Sequence, residues 1–373
     1  MKKYIALLMA LVMGLSVAGC GQSASSSASS EAASSSAGSS NEEEVWLPYD
    51  ENLQKKKDDR DATGKTGAVA ACSWYASKAG LEILQEGGNA FDAAAAVAYT
   101  LGVVEPYFSG LGGGGFMTIY SADEDKVSVI DFRETAPAAA NAQMWLDENG
   151  EMKQFSLDGT NNLGTMSSIG GLSVAVPGEV AGFEYLLENY GSDAVTRQQI
   201  FQPAIDTANN GYVVGVTFKE ELDSEYSGIA ANETLSNIYL NEAGLPYEVG
   251  DVITNPDLAK TLQLIADGGK DAFYTGDMAQ AMVDAVADWG GNMTMDDLAN
   301  YEVKVREPVV GHYKDYTIYS LPPASSGGTH LVEILNILEN YDDMDTIGVN
   351  SAEYVHRFSE AFKIAFADRA QYM

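Results

Sequence analysis

Between residues 108 and 120 the chain reads FSGLGGGGFMTIY, with five glycines in the six positions from Gly110 to Gly115. Lacking a Cβ, glycine lets two backbones, or a backbone and a ligand, approach more closely than other residues allow. A phosphate cradle uses that freedom where a helix begins, so that unpaired N–H groups face the anion. Here the glycines follow a helix-like, alanine-rich segment, AFDAAAAVAYTLGVV, and lead into the β-forming run FMTIY. No Lys-Ser or Lys-Thr pair follows them and no strand precedes them, so neither a Walker loop nor a dinucleotide fingerprint fits. The run marks close packing between a buried helix and a sheet, or backbone donors beside a ligand.

The flanking pattern gives the class. Apolar positions recur at helical spacing over 74–86, with Gly87-Gly88 as a stop and Asn89 as a cap for the alanine-rich helix. FMTIY, SADEDK and VSVIDFRE read as a β-hairpin. Further helices are predicted over 179–190, 197–210, 256–267, 277–289, 329–340 and 352–370, with strands over 302–310 and 316–320. TMDD, from Thr294 to Asp297, has the form of a capping box. Helices and strands come in blocks rather than strict alternation, which favours layered α+β.

Lys2 and Lys3 followed by an apolar run to Val17 form a targeting segment. It ends in Val17-Ala18-Gly19-Cys20, which resembles a bacterial lipoprotein box with Cys20 as the lipidated mature N-terminus. The Ser/Ala-rich stretch behind it reads as a flexible tether. The expected organisation is a signal peptide at 1–19, a tether at 20–45 and a folded body at 46–373. The protein is then exported and lipid-anchored to the bacterial cell membrane on its extracytoplasmic side. With Cys20 spent on the anchor, Cys72 has no disulfide partner. Among its small apolar neighbours Cys72 reads as buried packing rather than a nucleophile.

The chain carries 54 acidic against 21 basic residues, a formal charge of -33. Such a field disfavours nucleic acid and anionic lipid headgroups as partners. An anionic substrate needs a local cation, and Arg133 in VIDFRETAP stands out. On a two-residue period it shares a strand face with Val127, Val129 and Asp131. Its planar fork suits a bidentate carboxylate. From spacing alone, an internal salt bridge to Asp131 or Glu134 and a carboxylate from elsewhere both remain open. The three histidines, His312, His330 and His356, lack metal-ligand spacing, and Ser325-Ser326-Gly327-Gly328 reads as a structural loop.

The series GLEILQEGGNAFDAAAAVAYTLGVVEPYFSGLGGGGF, IDFRETAP, VPGEVAGFEYLLENYG and QPAIDTANNGY resembles the large subunit of γ-glutamyltranspeptidases. The resemblance continues in order through GGNMTMDDLANYEVKVREPVVGHYKDYTIYSLPPASSGGTHLVEILNILENYD and AFADRAQY, from about residue 63 to the end. It implies the αββα four-layer sandwich of N-terminal-nucleophile hydrolases, incomplete here because the small subunit is missing. It implies a glutathione hydrolase activity: γ-glutamyl amides are cleaved through a γ-glutamyl-enzyme intermediate on a threonine, without a cofactor, and the acyl group passes to water, an amino acid or a peptide. By the match, Arg133 binds the glutamyl α-carboxylate, with Asp131 and Glu134 as candidates for orienting its guanidinium. The nucleophilic threonine is expected beyond Met373, so no catalytic residue is assigned here and the chain alone is expected to be inactive. Competing expectations are a lipid-anchored solute-binding protein and an inactive binder of γ-glutamyl compounds.

Overall fold

The computed structural model describes residues 62–156 and 164–373. The expected signal peptide, Cys20, the tether and the start of the body at 46 lie outside the described residues.

Helix α1 (Trp74–Gln85) stops where the Gly88 N–H donates back to the Ile83 carbonyl at 2.9 Å, with Gly87 at φ 99. Asn89 then opens α2 (Ala90–Val104). Its side chain accepts from the Phe91 and Asp92 N–H groups, and the Asp92 carboxylate accepts from the Asn89 N–H at 2.8 Å. This reciprocal cap satisfies donors that a helix start otherwise leaves unpaired. Asp92 is fully committed, since its carboxylate also takes the Ser192 hydroxyl at 2.6 Å. Ala93, Ala95, Ala96 and Ala98 are buried, and their small side chains allow α1 to pack close against α2.

After the glycine loop, β1 (Phe116–Ser121) and β2 (Lys126–Asp131) form the expected antiparallel hairpin, with Phe116 opposite Asp131. Two short strands follow, β3 (Gln154–Phe155) and β4 (Gly164–Thr165), which pair with each other. Next come α3 (Glu179–Tyr190) and α4 (Arg197–Asn210). β5 (Tyr212–Val213) is separated from its partner β6 (Val252–Ile253) by α5 (Val216–Ser224), α6 (Tyr226–Ala231) and α7 (Glu233–Tyr239). The chain continues through α8 (Pro256–Tyr274), α9 (Gly276–Asp288) and α10 (Met295–Ala299), whose cap is the box formed by Thr294 and Asp297. Then β7 (Lys304–Arg306) joins the first hairpin as a third strand beside β2, pairing Val129 with Arg306 and Asp131 with Lys304. β8 (Val309–Tyr313) and β9 (Tyr316–Ser320) form a separate hairpin, followed by α11 (Gly327–Leu338) and α12 (Ala352–Tyr372).

The α+β class holds. Ile119, Ile130 and Phe132 from the sheet share one core with Tyr99, Val103, Val180, Phe183 and Leu186 from the helices. A smaller cluster joins Ile334 and Leu338 of α11 to Ala361 and Ala365 of α12. Two expectations need correction and a third holds. The single strand over 302–310 is two strands, because Glu307 and Pro308 break it and the halves pair in different sheets. The helix expected to end at 267 does stop there: Gly269, at φ 63, ψ -156, breaks the helical path, and a second short helical stretch continues α8 to Tyr274. Cys72 is exposed, not buried, because it lies in the irregular segment ahead of α1 rather than on that helix's packed face.

Candidate functional site

The glycine loop folds back onto the end of β2. Gly115 and Phe132 exchange backbone hydrogen bonds, at 3.3 and 3.0 Å, and Phe132 packs its ring against Gly115 and Gly182. A Cβ on Gly114 would run into the Phe132 carbonyl, so glycine is required there by contact rather than by conformation. The Gly113 carbonyl accepts from the Gly178 and Glu179 N–H groups at 2.8 and 3.0 Å. The loop is thereby stitched to the first residue of α3.

Glu179 holds the loop a second time. Its Oε2 accepts the Gly110 N–H at 3.2 Å, while Oε1 is buried with no hydrogen-bond partner among the described residues. Burial lifts this carboxyl from 4.5 to about 7; the Gly110 bond opposes the rise and the Glu134 charge adds to it. Glu179 lines a mostly apolar cleft of about 500 Å³ behind the loop, with Ala94, Val97, Leu101, Gly114, Phe116 and Met117 among its walls. Arg133 does not line that cleft.

Arg133 lies two residues past the end of β2 and is exposed. Its backbone is gripped on both sides. The N–H donates to Asp131 Oδ1 at 3.1 Å, and the carbonyl accepts the Tyr301 hydroxyl at 2.9 Å. Tyr301 stacks on Tyr274, whose own hydroxyl donates to the Pro177 carbonyl at 2.8 Å. The Tyr301 hydroxyl passes over Gly178, where any Cβ would collide with it. Burial, with the Asp131 and Glu134 charges adding, raises the Tyr301 phenol well above its ordinary value, so it stays protonated and can donate.

The guanidinium of Arg133 has no ion pair or hydrogen bond among the described residues. The expectation that Asp131 and Glu134 orient it takes a different form. Asp131 is 7 % exposed and its Oδ2 takes Nε of Arg306 at 2.6 Å, so it holds Arg133 by the main chain and not by the fork. Glu134 carries its carboxyl to the glycine loop, beside Gly113 and Gly114. Arg133 stands out in the sequence, whereas the parts played by Tyr301, Arg306 and Glu179 do not. Arg306 interrupts an apolar β-like run in VKVREPVV, and Glu179 stands among apolar residues in VPGEVAGF. Each was a visible anomaly without a visible partner.

The family model for gamma-glutamyltranspeptidase matches residues 76–373. The chain belongs to that family. It is 40% identical over 309 residues to the glutathione hydrolase proenzyme of Escherichia coli, covering 83% of this chain and 51% of the relative. To the glutathione hydrolase proenzyme of Bacillus subtilis it is 38% identical, again over 83% of this chain and 50% of the relative. The chain thus spans about half the length of the curated relatives it matches. The crystal structure of Helicobacter pylori gamma-glutamyltranspeptidase superposes with a TM-score of 0.77 at 38% identity, over 84% of this chain and 86% of that one. The layered fold expected from the sequence is therefore the fold of this family.

Proposed function

We propose that these residues form the glutamyl-binding half of a γ-glutamyltranspeptidase acting on glutathione and other γ-glutamyl amides. In this reading Arg133 grips the α-carboxylate of the glutamyl group through its fork. The attacking threonine comes from outside these 373 residues, on the small subunit released from the same precursor. Its hydroxyl attacks the γ-carbonyl carbon while its own N-terminal amine takes the proton. The amide C–N bond then breaks and the leaving amine carries that proton away. Water or an acceptor amine resolves the resulting γ-glutamyl ester.

The observation that carries this reading is an exposed arginine whose main chain is fixed on both sides and whose fork has no partner among the described residues, in a chain of net charge -33. A cation so held is preorganised for an anionic ligand and needs no internal bond to be broken first. The names of the two bacterial relatives support glutathione as donor. The leader ending at Cys20 supports export with a lipid anchor, and Cys20→Ser should move the protein from the membrane to the soluble fraction of the cells.

The test uses the protein expressed from its complete reading frame and follows amine release from a γ-glutamyl anilide. Arg133→Ala should raise KM by roughly ten- to a hundred-fold, the loss of about 1.5–3 kcal/mol of charged hydrogen bonding. An unchanged KM removes Arg133 from the site.

A further inference from the structure

Two carboxylates flank Arg133 in sequence, and one of them is a natural trap for its guanidinium. Asp131 lies two residues back, is almost wholly buried, and already touches Arg133 through the backbone N–H at 3.1 Å. A buried carboxylate without a cation is costly, and the nearest arginine fork is its cheapest remedy. In the structure that demand is met from another strand. Arg306 on β7 brings Nε to Asp131 Oδ2 at 2.6 Å, with the Arg306 side chain only about one-third exposed. The β2–β7 register, Val129 opposite Arg306 and Asp131 opposite Lys304, fixes the pair diagonally across the ladder.

We infer that Arg306 is a positioning residue that occupies Asp131 and so keeps the Arg133 fork free for a ligand carboxylate. The inference rests on the reading of Arg133 given above. Asp131 then serves in two ways: one oxygen pins the Arg133 main chain and the other is neutralised by Arg306. The remaining charges near the pair fit this division. Lys304, across the ladder, is exposed, and Glu134 is drawn to the glycine loop. Tyr301 stays a neutral donor on the Arg133 carbonyl.

Losing Arg306 should therefore do more than loosen a strand. Asp131 would capture Arg133, and substrate would have to compete with an internal ion pair. Arg306→Gln is expected to raise KM for a γ-glutamyl anilide roughly ten-fold while kcat changes less than about two-fold. Adding Asp131→Asn should restore KM, because the asparagine Oδ1 still accepts the Arg133 N–H but no longer attracts its fork. Arg306→Lys should stay near the parent KM by keeping the charge. A residue that merely braces the sheet would not be rescued by removing its partner. Should Arg306→Gln fail to fold, Arg306→His decides the matter: its KM relative to the parent's is expected to climb as the imidazole loses its charge above about pH 6.5, and a ratio that stays flat across that range overturns the inference. A KM unchanged in Arg306→Gln, or a double variant as impaired as the single, overturns the inference. Arg133→Ala in the same assay separates the two levels. If it raises KM while Arg306→Gln does not, only the role of Arg306 falls; if it does not, the reading of Arg133 falls with it.

Discussion

Glu179 pairs its backbone N–H and one carboxyl oxygen with the glycine loop and leaves the other oxygen buried without a hydrogen-bond partner among the described residues. Unfolded, this carboxyl titrates near 4.5; folded, near 7. Between those values the folded chain keeps a proton that the unfolded chain has released, so its contribution to stability is full below 4.5 and is lost as pH rises through about 7. The gap corresponds to roughly 3 kcal/mol. Melting temperature should therefore fall between about pH 5 and pH 8, and Glu179→Gln should flatten that fall. A variant whose melting temperature follows the parent's pH dependence would assign the effect to other groups. At this scale the sequence yields residue types more readily than partnerships. Arg133 was legible as a cation in need of a carboxylate. Its neighbour Asp131, on the same strand period, was not legible as the partner of Arg306, because the two are 175 positions apart and no local pattern announces the β2–β7 pairing.

Elements with a strong local signal form where the sequence places them. α1, α2, α3 and α4 carry both an apolar period and a defined start or stop, and the Asn89 and Thr294 caps are made as written. The run from α5 to α7 was not legible, since these helices have six to nine residues each and few buried positions to set a period. The break in α8 has a tertiary cause. At Gly269 the chain adopts φ 63, ψ -156, a region nearly closed to other residues, and a Cβ there would sit 3.0 Å from Oε2 of Glu184. Glu184 is buried and bonded to Arg197 at 2.7 Å, so this corner ties α3, α4 and α8 together. Gly269→Ala should cost about 2–3 kcal/mol, read as a lowered denaturation midpoint. An unshifted midpoint would mean that the kink relaxes freely.

For the molecule as a whole, α12 turns Val355, Phe362, Ile364 and Phe366 outward, each at least 43% exposed. An exposed apolar face of this kind is more than isolated surface residues account for. The unpaired fork of Arg133 has another consequence, which concerns arrival rather than grip. If Arg133 holds the donor as proposed, a glutamyl donor bearing net negative charge must diffuse up an electrostatic gradient set by an excess of 33 negative charges before it meets that cation. Added salt shortens the reach of that repulsion to about 8 Å at 0.15 M. Turnover of a dilute anionic donor should thus accelerate from low to moderate ionic strength, then decline as the arginine itself is screened. A neutral donor should lack the rising limb, and stopped-flow rates for the two across a chloride series would expose the difference.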